Sequence, residues 1–224
     1  MNTFTLKCFY HAAVAFTVLL ASPQNYAALV NGDFETGDFT GWTFYETEFG
    51  GIGTPAVVLF DTNGDSIATN SARFNVGQVS GPCIGVGCGT QGGGIYQEFV
   101  TVSGALDINI DIAAESNGNN AAGGLFTLLF DSVPVDSFDF GDIGPSVEGT
   151  IERNSLSFST SVLSGVHEIR ILIERDAGLT SFVNDYVDDV TVSGDAFIPS
   201  PPAFWLFGSG LLGLIGMSRR KKSA

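Results

Sequence analysis

The stretch Leu106-Asp107-Ile108-Asn109-Ile110-Asp111-Ile112 decides the fold class. Aliphatic residues take every second place, and Asp or Asn fills the places between. A period of two sends successive side chains to opposite faces of an extended strand, one apolar and one polar. Ile169, Ile171 and Ile173 repeat the pattern against Glu168, Arg170 and Leu172. Working outward, residues 56–60, 72–76, 95–102, 125–130, 155–160 and 186–192 also read as strands, with turn-rich stretches such as 116–124 and 141–149 between them. About eight strands of this kind predict an all-β domain, a two-sheet antiparallel sandwich. Composition agrees. Only four of the 29 glycines lie beyond residue 198 and none before residue 29, which leaves 25 inside the strand-forming region, where helix interiors would tolerate them poorly. Most of the 19 Phe also fall there and can fill the space between sheets. No repeat of fixed period is visible, which disfavours a solenoid or propeller.

Charge divides the chain into residues 1–28, 29–198 and 199–224. All 24 Asp and Glu lie between Asp33 and Asp195. Against them the middle piece sets only Arg73, Arg153, Arg170 and Arg175, a formal charge of −20. Such a surface excludes nucleic acid as a partner, because neutralising phosphates requires a basic face. Lysine occurs only at Lys7, Lys221 and Lys222, so a P-loop or a Schiff-base lysine is excluded from the domain. The middle piece has a single histidine, His167, which excludes a His-rich metal site there.

The two ends read as addresses. Lys7, the apolar run at 12–21 (AAVAFTVLLA) and Tyr26-Ala27-Ala28 have the layout of a secretory signal peptide over residues 1–28, cut after Ala27 or Ala28. About ten apolar residues are too few to span a bilayer. At the other end, Pro199-Ser200-Pro201-Pro202 breaks regular structure. The uncharged run 203–217 follows, and Arg219, Arg220, Lys221 and Lys222 close the chain. As a helix that run is about 22 Å long, a short membrane span whose basic end stays cytoplasmic and leaves the acidic domain on the far side.

The three-part tail of proline triplet, short Trp- and Gly-containing apolar helix and Arg/Lys cluster resembles the PEP-CTERM sorting signal of exported proteins in biofilm-forming Gram-negative bacteria. The resemblance implies processing by an exosortase-type membrane protease or transpeptidase. It also implies transient inner-membrane anchoring and a place at the cell surface or in the exopolysaccharide matrix. Ser200 departs from the family, which has glutamate at the centre of the triplet. A plain membrane tail anchor is the alternative.

A second resemblance lies at the margins of the domain. The opening Leu29-Val30-Asn31-Gly32-Asp33-Phe34-Glu35-Thr36-Gly37 with Gly41-Trp42, and the closing Tyr186-Val187-Asp188-Asp189-Val190-Thr191-Val192, resemble the first and last strands of galactose-binding-like jelly rolls. That fold is shared by many carbohydrate-binding modules. The resemblance implies a jelly-roll connectivity, and a structural calcium held by Glu35 with Asp188 or Asp189, with solvated or turn-capping carboxylates as the alternative. Adjacent acids on a strand face opposite ways, so only one of that pair can point inward. A second loop, Asp61-Thr62-Asn63-Gly64-Asp65-Ser66, begins like a calcium loop. It has Ser66 where glycine is needed and Ala72 where glutamate is needed, so an Asx-rich turn is expected.

Sugar rings stack on flat aromatics whose neighbours supply hydrogen bonds, which makes Trp42, Tyr45, Phe49 and Tyr96 the candidates for polysaccharide contact; for Trp42 the competing reading is core packing. Cys83 and Cys88 are the two cysteines beyond the signal peptide, and in an oxidising compartment a disulfide between them is the default, worth roughly 2 kcal/mol for so short a ring. Zinc would need more soft ligands than His167 offers, and paired thiols are the remaining alternative. No G-x-S-x-G elbow occurs, and no pair among the acids is singled out for glycoside hydrolysis. The expectation is a non-catalytic exported protein that binds extracellular polysaccharide. A matrix protein binding other proteins is the alternative, and a polysaccharide-active enzyme the third.

Overall fold

The computed structural model describes residues 29–79, 89–116, 122–143, 149–176, 178 and 183–196. The expected signal peptide, the Pro199-Ser200-Pro201 tail with Arg219 and Arg220, and the Cys83–Cys88 loop lie outside the described residues. Among the described residues every regular element is a strand, and no helix is long and apolar enough to cross a membrane.

The strands are β1 (Thr43–Glu46), β2 (Gly50–Gly51), β3 (Ala56–Phe60), β4 (Thr69–Phe74), β5 (Gly77–Gln78), β6 (Gln91–Thr101), β7 (Gly104–Ser116), β8 (Leu125–Phe130), β9 (Val133–Asp139), β10 (Thr150–Val162), β11 (Gly165–Arg175) and β12 (Val183–Ser193). A front sheet runs β1-β6-β11-β8-β9 and a back sheet runs β10-β7-β12-β4-β3, with β2 and β5 forming a small separate pair. Neighbouring strands are antiparallel throughout. The steps from β6 to β7, β7 to β8, β9 to β10, β10 to β11 and β11 to β12 each change sheet. The chain therefore winds around its core as a jelly roll does.

The two alternating stretches supply opposite walls of that core. Leu106, Ile108, Ile110 and Ile112 of β7 are at most 1% exposed, and Ile169, Ile171 and Ile173 of β11 in the other sheet are fully buried. Each such side chain contributes about 1.5–3 kcal/mol of burial free energy. Phe34, Phe74, Phe99 and Phe126 fill the remaining space. One margin of the sandwich is drawn together where β9 bulges beside Pro134 and Asp136 accepts the Ser157 amide of β10 at 2.8 Å.

The opening motif forms turns rather than a strand. Asn31 and Phe34 adopt φ of 53° and 52°, and the first strand begins only at Thr43. It nevertheless meets the closing motif. β12 carries a bulge between Asp188 and Thr191, and there the Val190 amide donates to the Gly32 carbonyl at 2.9 Å. A Cβ at Gly32 would sit 2.1 Å from the Val190 carbonyl oxygen, so glycine is what lets the two ends approach.

The Asp61–Ser66 loop is an Asx-rich turn. Asp61 accepts the Gly64 and Ser66 amides, Asn63 accepts that of Asp65, and Asp65 accepts that of Ile67. Arg153 of β10 holds this loop against the outer side of the back sheet, donating to the Asp61 carbonyl at 2.8 Å and pairing with its carboxylate at 3.5 Å.

Candidate functional site

The outer side of the front sheet carries the aromatic candidates. Tyr45 on β1 lies opposite Gly94 of β6, and Tyr96 on β6 lies opposite both Thr43 and Arg170 of β11. Gly94 matters here, because a Cβ would lie 2.0 Å from the Ile171 carbonyl oxygen. With that space open, the Tyr45 hydroxyl reaches across the neighbouring strand and donates to the same carbonyl at 3.1 Å. Burial pushes the phenol above its ordinary pKa, so it remains a donor.

Arg170 joins the two rings. Its guanidinium carbon lies 4.5 Å from the Tyr45 centroid and 4.9 Å from the Tyr96 centroid, and the rings themselves are 6.2 Å apart at 61°. Glu168 fixes the fork: Nε donates to Oε1 at 2.9 Å and Nη2 to Oε2 at 3.1 Å. That pair holds Arg170 above its usual pKa against the effect of burial. Both tyrosines are half-buried, and the result is a rigid platform of two rings and one planar cation, bordered by the carboxylates of Glu168 and Glu98. Aromatic and guanidinium planes can stack under the C–H face of a sugar, and a fixed platform loses little entropy on binding. Residues between the margins of the sequence, Arg170 and Glu168, thus complete a surface of which only the tyrosines were singled out. The signal available was the outward phase of Glu168 and Arg170 against the isoleucines of β11.

Trp42 stands elsewhere. It is 7% exposed, stacks on Phe34 at 5.8 Å, and donates from Nε1 to the Asn31 carbonyl at 2.9 Å. Its faces belong to the core, so the platform excludes it. Phe49 is half-buried, with its amide bonded to Gln91, and joins neither tyrosine in a ring contact.

The three carboxylates expected to hold calcium gather near the meeting of the opening and closing motifs, and the oxygens of Glu35 and Asp188 accept hydrogen bonds. Glu35 accepts the Asn70 amide at 2.9 Å and its side-chain nitrogen at 3.2 Å. Asp188, 2% exposed, accepts the Thr69 and Ser71 hydroxyls at 2.8 and 2.9 Å and the Asp189 amide at 2.8 Å. Burial raises Asp188 to about 6 against those bonds. Asp189 sits in the bulge at φ 46°, raised by burial and by Asp33, Glu35 and Asp65. No group of three metal-ligating side chains is assembled among the described residues. A calcium ion bound through Glu35 and Asp188 would have to displace the Asn70, Thr69 and Ser71 bonds.

His167 is committed at both ring nitrogens. Nδ1 lies 2.7 Å from Asp131 Oδ2, and Nε2 lies 3.1 Å from the Leu163 carbonyl. Two acceptors require two donors, which is the imidazolium form. Burial lowers its pKa, and the Asp131 and Leu163 bonds outweigh that and raise it. Held in this way it is not free to activate a nucleophile.

No family model matches the chain, and no curated protein matches it. Similar solved structures exist at low identity. A cyclase from Fischerella sp. TAU, in complex with 4-(1H-indol-3-yl)butan-2-one, is 14% identical over 78% of this chain and 99% of that one, with a TM-score of 0.46. TmCBM61, in complex with β-1,4-galactotriose, is 15% identical over 77% and 99%, with a TM-score of 0.43. The enzymatically active domain of tailspike protein 4 from bacteriophage CBA120 is 14% identical over 77% of this chain, which spans only 22% of that domain's chain, with a TM-score of 0.43. At these values no activity carries over from the enzymes or from the binding module.

Proposed function

We propose that this is an exported, non-catalytic protein that binds extracellular polysaccharide on the outer side of its front sheet. The observation that supports this most is the platform of Tyr45, Arg170 and Tyr96, fixed by Glu168 and by the Tyr45 bond to Ile171. The engagement of His167 favours binding over catalysis. On this reading the tail from Pro199 delivers the domain through an exosortase-type enzyme, with brief membrane anchoring, and Cys83 pairs with Cys88 once exported. The experiment is a glycan titration of the full chain beside Tyr96→Ala and Arg170→Ala. Saturable binding should weaken about tenfold in either variant, a change of about 1.4 kcal/mol. Absence of saturable binding to every polysaccharide tried sinks the proposal.

One observation favours the alternative, a matrix protein that docks other proteins. Leu163, Val166 and Val133 are 79%, 64% and 59% exposed, at the turns that His167 and Asp131 tie together. Retention of a matrix protein by the full chain, lost in Leu163→Asp, would support that role instead.

A further inference from the structure

The strand register lays out the outer side of the front sheet in transverse rows, one residue from each strand. One row runs Thr43, Tyr96, Arg170, Leu129 and Pro134 from β1 to β9. The next runs Tyr45, Gly94, Leu172, Thr127 and Ser137. The period of two turns these side chains away from the buried Ile171 and Phe126, and every one of them is at least partly exposed. Arg170 is the single charge in the two rows, and Glu168 pairs with it. Carboxylates border the rows on both flanks. Glu98 and Glu168 face each other on one flank, and Glu174 and Asp139 stand on the other, either side of Leu125.

The two rows make a track across five strands, about 19 Å from β1 to β9 at the spacing of a sheet. Its floor mixes apolar faces, from the tyrosines, Leu172 and Leu129, with the hydroxyls of Thr43, Thr127 and Ser137. Cross-strand neighbours on one face lie close enough to act as one surface. A ligand that fits must be long, apolar on its broad faces and uncharged along its length. An anionic chain would meet carboxylates on both sides. An apolar peptide would strip water from those carboxylates and return nothing to them. A chain with hydroxyls along both edges supplies the donors that the borders accept.

We propose that a neutral, linear polysaccharide lies along this track, crossing the strands, with its rings over the tyrosines, Leu172 and Leu129 and its hydroxyls donating to the border carboxylates. Resting on the reading of the front sheet as a glycan-binding face, this course adds a second half to the site, on β8 and β9, and turns uronates away.

The test is calorimetry of the full chain at near-physiological salt. The probes are β-1,4-linked glucan, galactan and mannan oligomers of two to six units, with oligogalacturonates of the same lengths. At least one neutral series should tighten about tenfold or more with length and level off once it spans the track, and the uronates should bind at least about tenfold more weakly. Thr127→Ala with Leu129→Ala should abolish the gain with length, and Leu125→Ala, on the same strand but outside the track, should keep it. Glu98→Gln with Glu174→Gln should narrow the gap to the uronates, and Asp107→Asn with Glu152→Gln on the back sheet should not. Affinity that is flat with length, or a gain that survives the Thr127 and Leu129 pair, overturns the track and leaves the platform standing. So does a loss shared by Leu125→Ala, which would report damage to β8. Uronates bound as tightly as neutral chains, or a gap narrowed equally by the back-sheet pair, overturn the choice of a neutral chain. An oligolysine peptide that binds more tightly than every neutral oligomer overturns it too, in favour of a basic protein partner. No binding of any oligomer overturns the track and counts against the platform as well.

Discussion

Trp42→Phe separates a core aromatic from a sugar-stacking one. Phenylalanine keeps the stack on Phe34 but removes the Nε1 donor that reaches the Asn31 carbonyl at 2.9 Å. Leaving that carbonyl without its partner costs about 1–2 kcal/mol. The smaller ring leaves a gap of some tens of cubic ångströms, worth about 1 kcal/mol more. Together these give about 2–3 kcal/mol, and for a domain of this size about 5–10 °C in melting temperature. The loss falls on the opening turns, because Asn31 also anchors that segment through the carbonyls of Asp38 and Thr40 and the amide of Thr36. Differential scanning calorimetry reads the shift, and a glycan titration on the same sample reads binding, which should not change. Lost sugar affinity with an unchanged melting temperature would mean that the indole meets ligand, and the account of the opening segment would be wrong.

Three further outcomes follow from the charged groups. Burial raises Asp188 from 3.8 to about 6, so its proton favours the fold; stability is full below about 4 and falls by on the order of 2–3 kcal/mol as pH climbs to about 6. Asp188→Asn should flatten that part of a melting-temperature profile, and a profile unchanged between pH 4 and 6 refutes the assignment. His167, raised by Asp131 and the Leu163 carbonyl, adds stability that is present below 6.5 and lost as pH rises through its folded value. The protein should therefore melt higher at pH 5 than at pH 8, and His167→Gln should remove the alkaline part of the slope. Asp189→Asn should raise the melting temperature by about 2–4 °C, by removing a charge opposed by burial and by Asp33, Glu35 and Asp65 at a backbone angle asparagine tolerates. A drop instead, matched by a drop with chelator on the unmodified chain, would show that calcium uses Asp189 after all.

Local periodicity made most of the sandwich legible. Each of the eight alternating or apolar segments falls on a strand; most bury one face, which a period of two records, while β3 at the edge of the back sheet is only partly covered. β1 and β9, the edges of the front sheet, escaped notice because neither shows a clean apolar alternation: Phe44 remains exposed on β1, and Pro134 sits in β9, where an edge tolerates it. β10 extends from Thr150 to Val162, beyond the 155–160 read from pattern, because its polar flank Glu152-Arg153-Asn154 is held by pairing with β7 rather than by apolar content. At the site, Tyr45 and Tyr96 were visible as residue types. Their union through Arg170 was not, since it depends on the register that sets Arg170 beside Tyr96, a contact between strands distant in sequence. Glu35, Asp188 and Asp189 lie near the junction of the two motifs, and the bonds of Glu35 to Asn70 and of Asp188 to Thr69 and Ser71 come from β4, which no pattern in either motif announces.

β12, the last strand, lies at the centre of the back sheet between β7 and β4, and its bulge receives the opening turns. Until that strand arrives, β4 with its neighbour β3 has nothing to join it to β7, and the opening turns lack the Val190 amide that bonds the Gly32 carbonyl. A chain synthesised from its N-terminus must therefore stay unfinished until nearly the whole domain has emerged, with two half-sheets exposed in the meantime.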